Sequence, residues 1–407
     1  MRWLTSAQLL AALVRIALVG ARAPAIPWEG CAKTPTLGYL EGMRLRHYGV
    51  CVFASSALLL SGGLSFAEIQ GYGAKAVGGA GGEVCTVTNP AARGAGSFSE
   101  CARRGNVIVQ FSGPGPFVVD GQQTYLKSNT TIDGCANGQN GVTLSQPADI
   151  HRALVLEGPA SNLLIRCIRF QGSGKLPGMM NEHDLLALDG TEGLVSRVAV
   201  DRCTFVLSTD GAFDIVGNVQ DVTVQRSLFY GNPMTQLVKY DARQRISIHH
   251  NVYTGNSERN PQIKGDARDI DFVSNVIHDS QALLDRESGS TYSPYGTRLW
   301  NASSDSKGNV VGNFRSNAWI GRYTELEIKT DAGASAAGIY LADNHCDPFP
   351  CPPSPAASPH PVPAANAVTE TPPRQMKEAM LPTVGSPNRT PADQARIDAV
   401  TAALPRP

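Results

Sequence analysis

Residues 208–264 decide how this chain is read. They run STDGAFDI (208–215), VTVQRSLFYG (222–231) and ISIHHNVYTGNSERNPQIK (246–264): three short β-type runs, separated by turn-rich segments. Setting Cys203 (VAVDRCTF), Ser227 (VTVQRSLF), Asn251 (ISIHHNVY) and Asn275 (IDFVSNVI) under one another gives three consecutive spacings of 24 residues. Cys167 (LLIRCIRF) and Cys135 (TTIDGCAN) extend the column backward at spacings of 36 and 32, as if loops were inserted. A fixed period in this range marks stacked repeats. Alternating β-branched residues with one small or polar residue per repeat suit strands rather than helices. The predicted fold is all-β, a single-stranded right-handed parallel β-helix with one coil per repeat.

The register has a geometric consequence. Asp210, Met234 and Arg259 lie 7, 7 and 8 residues past their column residues, and Asp214, Lys239 and Lys264 lie 11, 12 and 13 past theirs. Adjacent coils are about 4.8 Å apart, so acids on one coil and bases on the next two are expected to form a strip on one outer face. A solvated charged surface is the bland alternative. Segregation of the charges by sign favours the strip.

The 407 residues, 42% of them hydrophobic, suffice for one large core or two domains. The balance of 35 basic and 35 acidic residues excludes nucleic-acid binding through bulk charge. Gly 41 and Pro 27 fit a turn-rich β protein. Near the start, MRLRHYG from Met43, the apolar VCVFASSALLLSGGL and the small-x-small Ser65-Phe66-Ala67 make a secretory signal. Translation is expected to begin at Met43 and the mature chain near Glu68; a single anchor-like leader from Met1 is the rival. Either way the product is exported, with no membrane attachment after processing. The expected division is a leader over 1–67, a β-helix over 68–345, and a Pro-rich segment with a C-terminal helix over 346–407 that packs on the solenoid.

Export permits disulfides. Cys85–Cys101 and Cys346–Cys351 are plausible local pairs, and Cys135, Cys167 and Cys203 read as stacked buried thiols with room for one bridge. No Cys/His set has zinc-site spacing, and His249 and His250 on one strand are expected to point to opposite faces. GYGAKAVGGAGG (71–82) lacks the context of a phosphate loop and reads as a tight approach to the first coil. GSFSECARRGNVIVQFSG (96–113) reads as a short helix covering the solenoid's open end, followed by a strand. Coils are expected from Asn129 to about Asn344, with 281–308 as an excursion near the active face and 347–375 as a linker or surface lid. TPADQARIDAVTAAL has a capped helical start.

In order, GYGAKAVGGAGG, SNTTIDG (128–134), DLLAL (184–188), VAVDRCTF, STDGAFDI and HHNVYTGNSERNPQIK resemble the pectate lyases of polysaccharide lyase family 1. The likeness covers roughly residues 71–345, and its most specific part is the Arg-x-Pro-x-x-basic motif at 259–264. The resemblance implies a secreted, calcium-dependent lyase that cleaves polygalacturonate by β-elimination, working as a monomer on an acidic polysaccharide and not on nucleic acid.

The residues themselves suit that chemistry. Calcium takes about six to eight oxygen ligands, many from carboxylates, and Glu182, Asp184, Asp210 and Asp214 match the family's metal-binding positions. Calcium joining these acids to a substrate carboxylate would acidify the adjacent C5 proton. Arg259 matches the proton-abstracting arginine. An arginine has a pKa above about 12, so it needs a depressed pKa or alkaline conditions to act as a base. An ion pair of Arg259 with Glu258 is the structural alternative.

Four positions depart from the family pattern, among them Glu182, which stands where an aspartate is common. Lys264 stands where a second arginine is usual and binds carboxylate as a point charge without the fork. Met234 stands where a substrate-binding lysine is usual, and Lys239 is the candidate substitute. Arg202 replaces a common histidine at a structural position. Three competing readings remain. A pectin lyase is expected to lack the acid cluster and to have an aromatic cleft, whereas only Trp300 and Trp319 fall in the solenoid. A polygalacturonase would use an acid pair, which leaves Arg259 and Lys264 unexplained. A non-catalytic β-helix that binds acidic glycan is favoured by Met234.

Overall fold

The computed structural model describes residues 68–406 apart from 121–122, 148–151, 175–183, 240–243, 284–292 and 303–306. The leader signal around Met43 and the site residue Glu182 therefore lie outside the described residues. The chain winds into a right-handed parallel β-helix in which strand pairing is parallel throughout. Each coil contributes strands to three faces. The long strands Leu186–Asp201 and Gly211–Gln225 turn a corner within themselves, where the register shifts at Gly190/Val195. Gly217 sits at that corner with φ +80°, a conformation open to glycine at little cost.

Period-2 alternation builds the core. Val198, Val222, Ile246 and Ile270 are register partners on successive coils, as are Val200, Val224, Ile248 and Phe272, and all are buried. Each such side chain contributes roughly 1.5–3 kcal/mol by leaving water. On the third face Phe170, Phe205, Phe229 and Tyr253 stack with centroids 4.8, 4.8 and 4.7 Å apart, the spacing of the coils themselves.

The polar column found in the sequence is a hydrogen-bond ladder at one corner. The Ser227 N–H donates to Asn251 Oδ1 (2.9 Å), Asn251 N–H to Asn275 Oδ1 (3.0 Å) and Asn275 N–H to Asn317 Oδ1 (2.9 Å), and Asn317 N–H reaches Asn344. From Cys203 onward the residue before the column member takes a left-handed backbone, Arg202, Arg226, His250 and Ser274 among them. This is the structural position occupied by Arg202. It also corrects the expectation for the histidine pair. His250 is at the bend rather than on the strand, so the two rings meet edge to face with their Nδ1 atoms 2.9 Å apart. A second ladder, Ser208–Asn232–Asn256, runs at the next corner and was not read from the sequence.

Two further expectations change. Coils begin well before Asn129: Glu83–Val87 pairs with Val107–Phe111, which pairs with Thr130–Asp133. Within 281–308 the segment Thr297–Asn301 returns to the sheet as a regular strand. The glycine-rich stretch is also not an approach to one coil. It lies across the outside of the second face, with Tyr72 and Gly73 N–H donating to Ser247 and Thr223, Gly78 to Asn162 and Gly79 to Thr131. A Cβ on Gly73 would stand 2.3 Å from Val198 O, so only glycine admits this contact.

The short helix Phe98–Ala102, capped by Ser97, stacks Phe98 against Phe111 and is tied to the first strand by Cys85–Cys101. Cys135–Cys167 and Cys346–Cys351 are also bonded, and Cys203 is a buried thiol. Pro391–Ala403 forms a helix with a Thr390/Asp393 capping box. With Met376, Met380, Leu381 and Val384, its Ile397 and Val400 cover Leu228, Val252, Val276 and Ala318 on the third face. The second face is thus overlaid by the N-terminal glycines and the third by the C-terminal segment. The first face keeps its outward side chains for other uses.

Candidate active site

The first face is made in turn by Leu154–Glu157, the start of Leu186–Asp201, the start of Gly211–Gln225, Met234–Lys239, Gln262–Lys264, Thr297–Asn301 and Leu326–Thr330. Asp184 and Asp210 lie just ahead of their strands, and Asp214 lies within its own. Gly211 lets the acids approach. A Cβ built on it would meet Asp184 Oδ1 at 2.3 Å and Asp214 Oδ1 at 2.8 Å, so both carboxylates converge on one point. The Gly211 N–H donates to Asp184 Oδ1 (3.1 Å) and the Leu237 N–H to Asp214 Oδ1 (3.1 Å).

This cluster is short of positive charge. Desolvation pushes Asp184 well above the ordinary carboxylate range, and repulsion from Asp214 and Asp210 adds to it, against the pull of Arg152 and Arg259. Desolvation likewise raises Asp214, to about 6, with Arg259 opposing and Asp210 reinforcing.

Arg259 stands in a left-handed bend (φ 60°) between coils, its Nη1 3.8 Å from Asp214 Oδ2 and its Nε buried with no hydrogen-bond partner. Its ion pair is with Asp214, two strands back, rather than with Glu258. Burial, the largest single influence, pulls its pKa down, but Asp214, Tyr295, Asp210 and Asp184 outweigh burial and the net direction is up. The resting acids therefore hold Arg259 protonated.

Arg152 was missed by the sequence reading. It precedes Leu154–Glu157 in register with Asp184, with Nε 3.4 Å from Asp184 and Nη1 2.6 Å from Asp189. Only the pairing of strands 32 residues apart brings it there; RAL carries no local signal.

The expected strip is only partly realised. Lys239 and Lys264 are register partners, but Asp214 faces Leu237 and then Gln262, so it belongs to a different row from the lysines, which follow Val216. The reason is the count. Asp214 lies three residues into its strand whereas Lys239 ends its own, and a shift of two keeps the same face while moving one row along. Met234 sits opposite Gly211 and bridges to Glu258, which puts no cation at that point.

Among the described residues, no group of three His, Cys, Asp or Glu side chains is drawn tightly enough to form a complete metal site. The oxygen donors that converge on Gly211 do fit a hard divalent cation such as calcium. Their raised pKa values are what an acid cluster shows when a positive charge would relieve it.

The fold defines a class, the right-handed parallel β-helix, and comparison with known proteins says what the chain is similar to. No protein-family model matches the chain. It is similar to a probable pectate lyase C of Aspergillus fumigatus, 27% identical over 297 residues, covering 70% of this chain and 61% of that protein. It is also similar to a probable pectate lyase C of Aspergillus flavus, 30% identical over 226 residues, covering 53% and 48%. The chain thus spans between about half and three-fifths of the length of these curated relatives. Among solved structures, a pectate lyase studied for its anti-β-elimination mechanism superimposes with TM-score 0.52 at 13% identity, over 79% of this chain and 97% of that one. A Bacillus subtilis pectate lyase mutant gives 0.50 at 13%, over 79% and 97%. These likenesses show the fold.

Proposed function

We propose that this protein is a secreted, calcium-dependent pectate lyase that cleaves (1→4)-α-D-galacturonan by β-elimination. The observation that carries the reading is the convergence of Asp184 and Asp214 beside Gly211, with Arg259 3.8 Å from Asp214 on the open face. Asp184, Asp210 and Asp214, with Glu182 of the undescribed segment, are the residues that would hold calcium. Calcium bound there supplies charge neutralisation and acidifies the proton next to the substrate carboxylate.

Arg259, in the neutral form that alkaline pH supplies, takes the C5 proton. The C5–H electrons form the C4=C5 double bond, the C4–O bond breaks with its electron pair going to the oxygen, and the departing oxygen takes a proton from solvent water. Because the acids hold Arg259 charged, activity is expected to favour alkaline pH. Lys264 and Lys239 bind flanking carboxylates as point charges. The three disulfides suit an oxidising compartment and support export.

Ultraviolet absorbance of the unsaturated product, measured on polygalacturonate with calcium and then with excess chelator, tests the reading. Growth of signal that needs calcium and disappears in Arg259→Ala is expected. A folded protein giving no signal would favour the second reading, a non-catalytic glycan-binding β-helix, for which Met234 speaks. Signal indifferent to chelator would favour a metal-independent pectin lyase.

A further inference from the structure

On the first face, Val216, Lys239, Lys264, Trp300 and Lys329 are register partners on five successive coils. The last three form a layered contact: Lys329 Nζ stands 4.0 Å and Lys264 Nζ 5.8 Å from the Trp300 ring centroid. Both distances lie in the range of cation–π attraction, about 6 Å. The Trp300 indole N–H is buried and meets no acceptor, so its hydrogen-bonding capacity does not explain its presence. Its ring does. In the next row on the same strands, Arg298 is paired with Glu327 at 2.5 Å and stacked on Tyr295 at 3.5 Å.

We propose that Trp300 is a positioning residue that fixes Lys264 and Lys329 as a rail for alternate carboxylates of the substrate chain, extending the binding site two coils beyond Arg259. This rests on the galacturonan reading of the same face. Lys264 and Lys329 stand two coils apart, with Trp300 on the coil between them, a spacing of about twice 4.8 Å, which suits carboxylates two sugars apart on an extended uronan. A lysine left to itself samples many rotamers, and losing that freedom on binding costs affinity. Lys329 already occupies a place over the ring, so Trp300 acts through the lysines and not as a stacking platform for a sugar.

The test compares Trp300→Leu, Trp300→Phe, Lys329→Met and the Trp300→Leu/Lys329→Met double variant on polygalacturonate. Trp300→Leu is expected to raise KM about tenfold with the loss absent from kcat, and Trp300→Phe to recover most of it. The double variant is expected to lose less than the product of the two single losses, because the Lys329–Trp300 contact is removed by either change, while the Lys264 contact is lost only with Trp300. The same four changes in an Arg259→Ala background, run on native gels containing polygalacturonate, read binding without turnover. Absence of product from the unaltered chain would thus count against the lyase reading while the gels still judge the rail. Wild-type retention by Trp300→Leu, or losses that multiply in the double variant, would overturn the proposal. Melting temperatures separate both from misfolding.

Discussion

Arg259 Nη1 and Asp214 Oδ2 stand 3.8 Å apart although they belong to coils two apart, in the range of an ion pair without the short contact of a hydrogen-bonded one. The base and the metal-binding acid proposed for this site therefore hold each other's charge. Arg259→Lys keeps the charge but loses the planar reach. Loss of a positioned proton acceptor is expected to lower kcat about 10²–10⁴-fold, measured by product absorbance, with an unchanged circular dichroism spectrum.

Gly211→Ala tests the convergence of the acids directly. The new methyl group would meet Asp184 and Asp214 at distances no real Cβ tolerates. Spreading the carboxylates is expected to weaken calcium binding at least tenfold by titration calorimetry. Overpacking is expected to cost about 1–3 kcal/mol in urea unfolding. Calcium-affinity equal to that of the unaltered chain would remove these acids from the metal site.

The asparagine ladder makes a stability prediction. Asn275 accepts from the Asn251 N–H and side chain, and donates to Ile248 O and Asn317. In Asn275→Ala several buried groups lose their partner, each at about 1–3 kcal/mol. A total loss of about 3 kcal/mol or more in chemical denaturation is expected, larger than for Asn344→Ala at the less buried end of the ladder.

Glu325 gives the pH dependence. Burial raises it to about 7, opposed by the Ser280 hydroxyl and N–H that donate to it at 2.6 and 3.0 Å and reinforced by Asp279. Its folded pKa lies above the unfolded value, so the fold binds the extra proton. Stability from this group is complete at low pH and declines as pH rises from about 4.5 through 7. The decline amounts to about 3 kcal/mol at most. Glu325→Gln is expected to flatten that slope in melts recorded from pH 4 to 8, and a slope unchanged in the variant would assign it elsewhere.

Much of this architecture was legible beforehand because a solenoid repeats one local solution. The 24-residue spacing of Cys203, Ser227, Asn251 and Asn275 is the coil length itself, and the alternation in VTVQ and ISIH is the inward–outward pleat. Asp210, Asp214 and Arg259 could be picked out by their offsets of 7, 11 and 8 from the column residues, and Asp184 by the resemblance to the family's metal-binding positions. Loop lengths hid the rest. Thr297–Asn301 was lost inside an irregular segment, and the glycine stretch could not reveal that it crosses several coils.

The sequence by itself determined the coil, its period and the chemical types on its strands, since hydrophobic alternation and a polar corner residue act within one repeat. Tertiary structure alone decided which coils' residues meet. Arg152 reaches Asp184, Asp214 falls one row away from Lys239, and Trp300 lies between Lys264 and Lys329. Those contacts depend on how many residues each corner consumes before the next strand begins. That count is set by packing against neighbouring coils and not by any local signal.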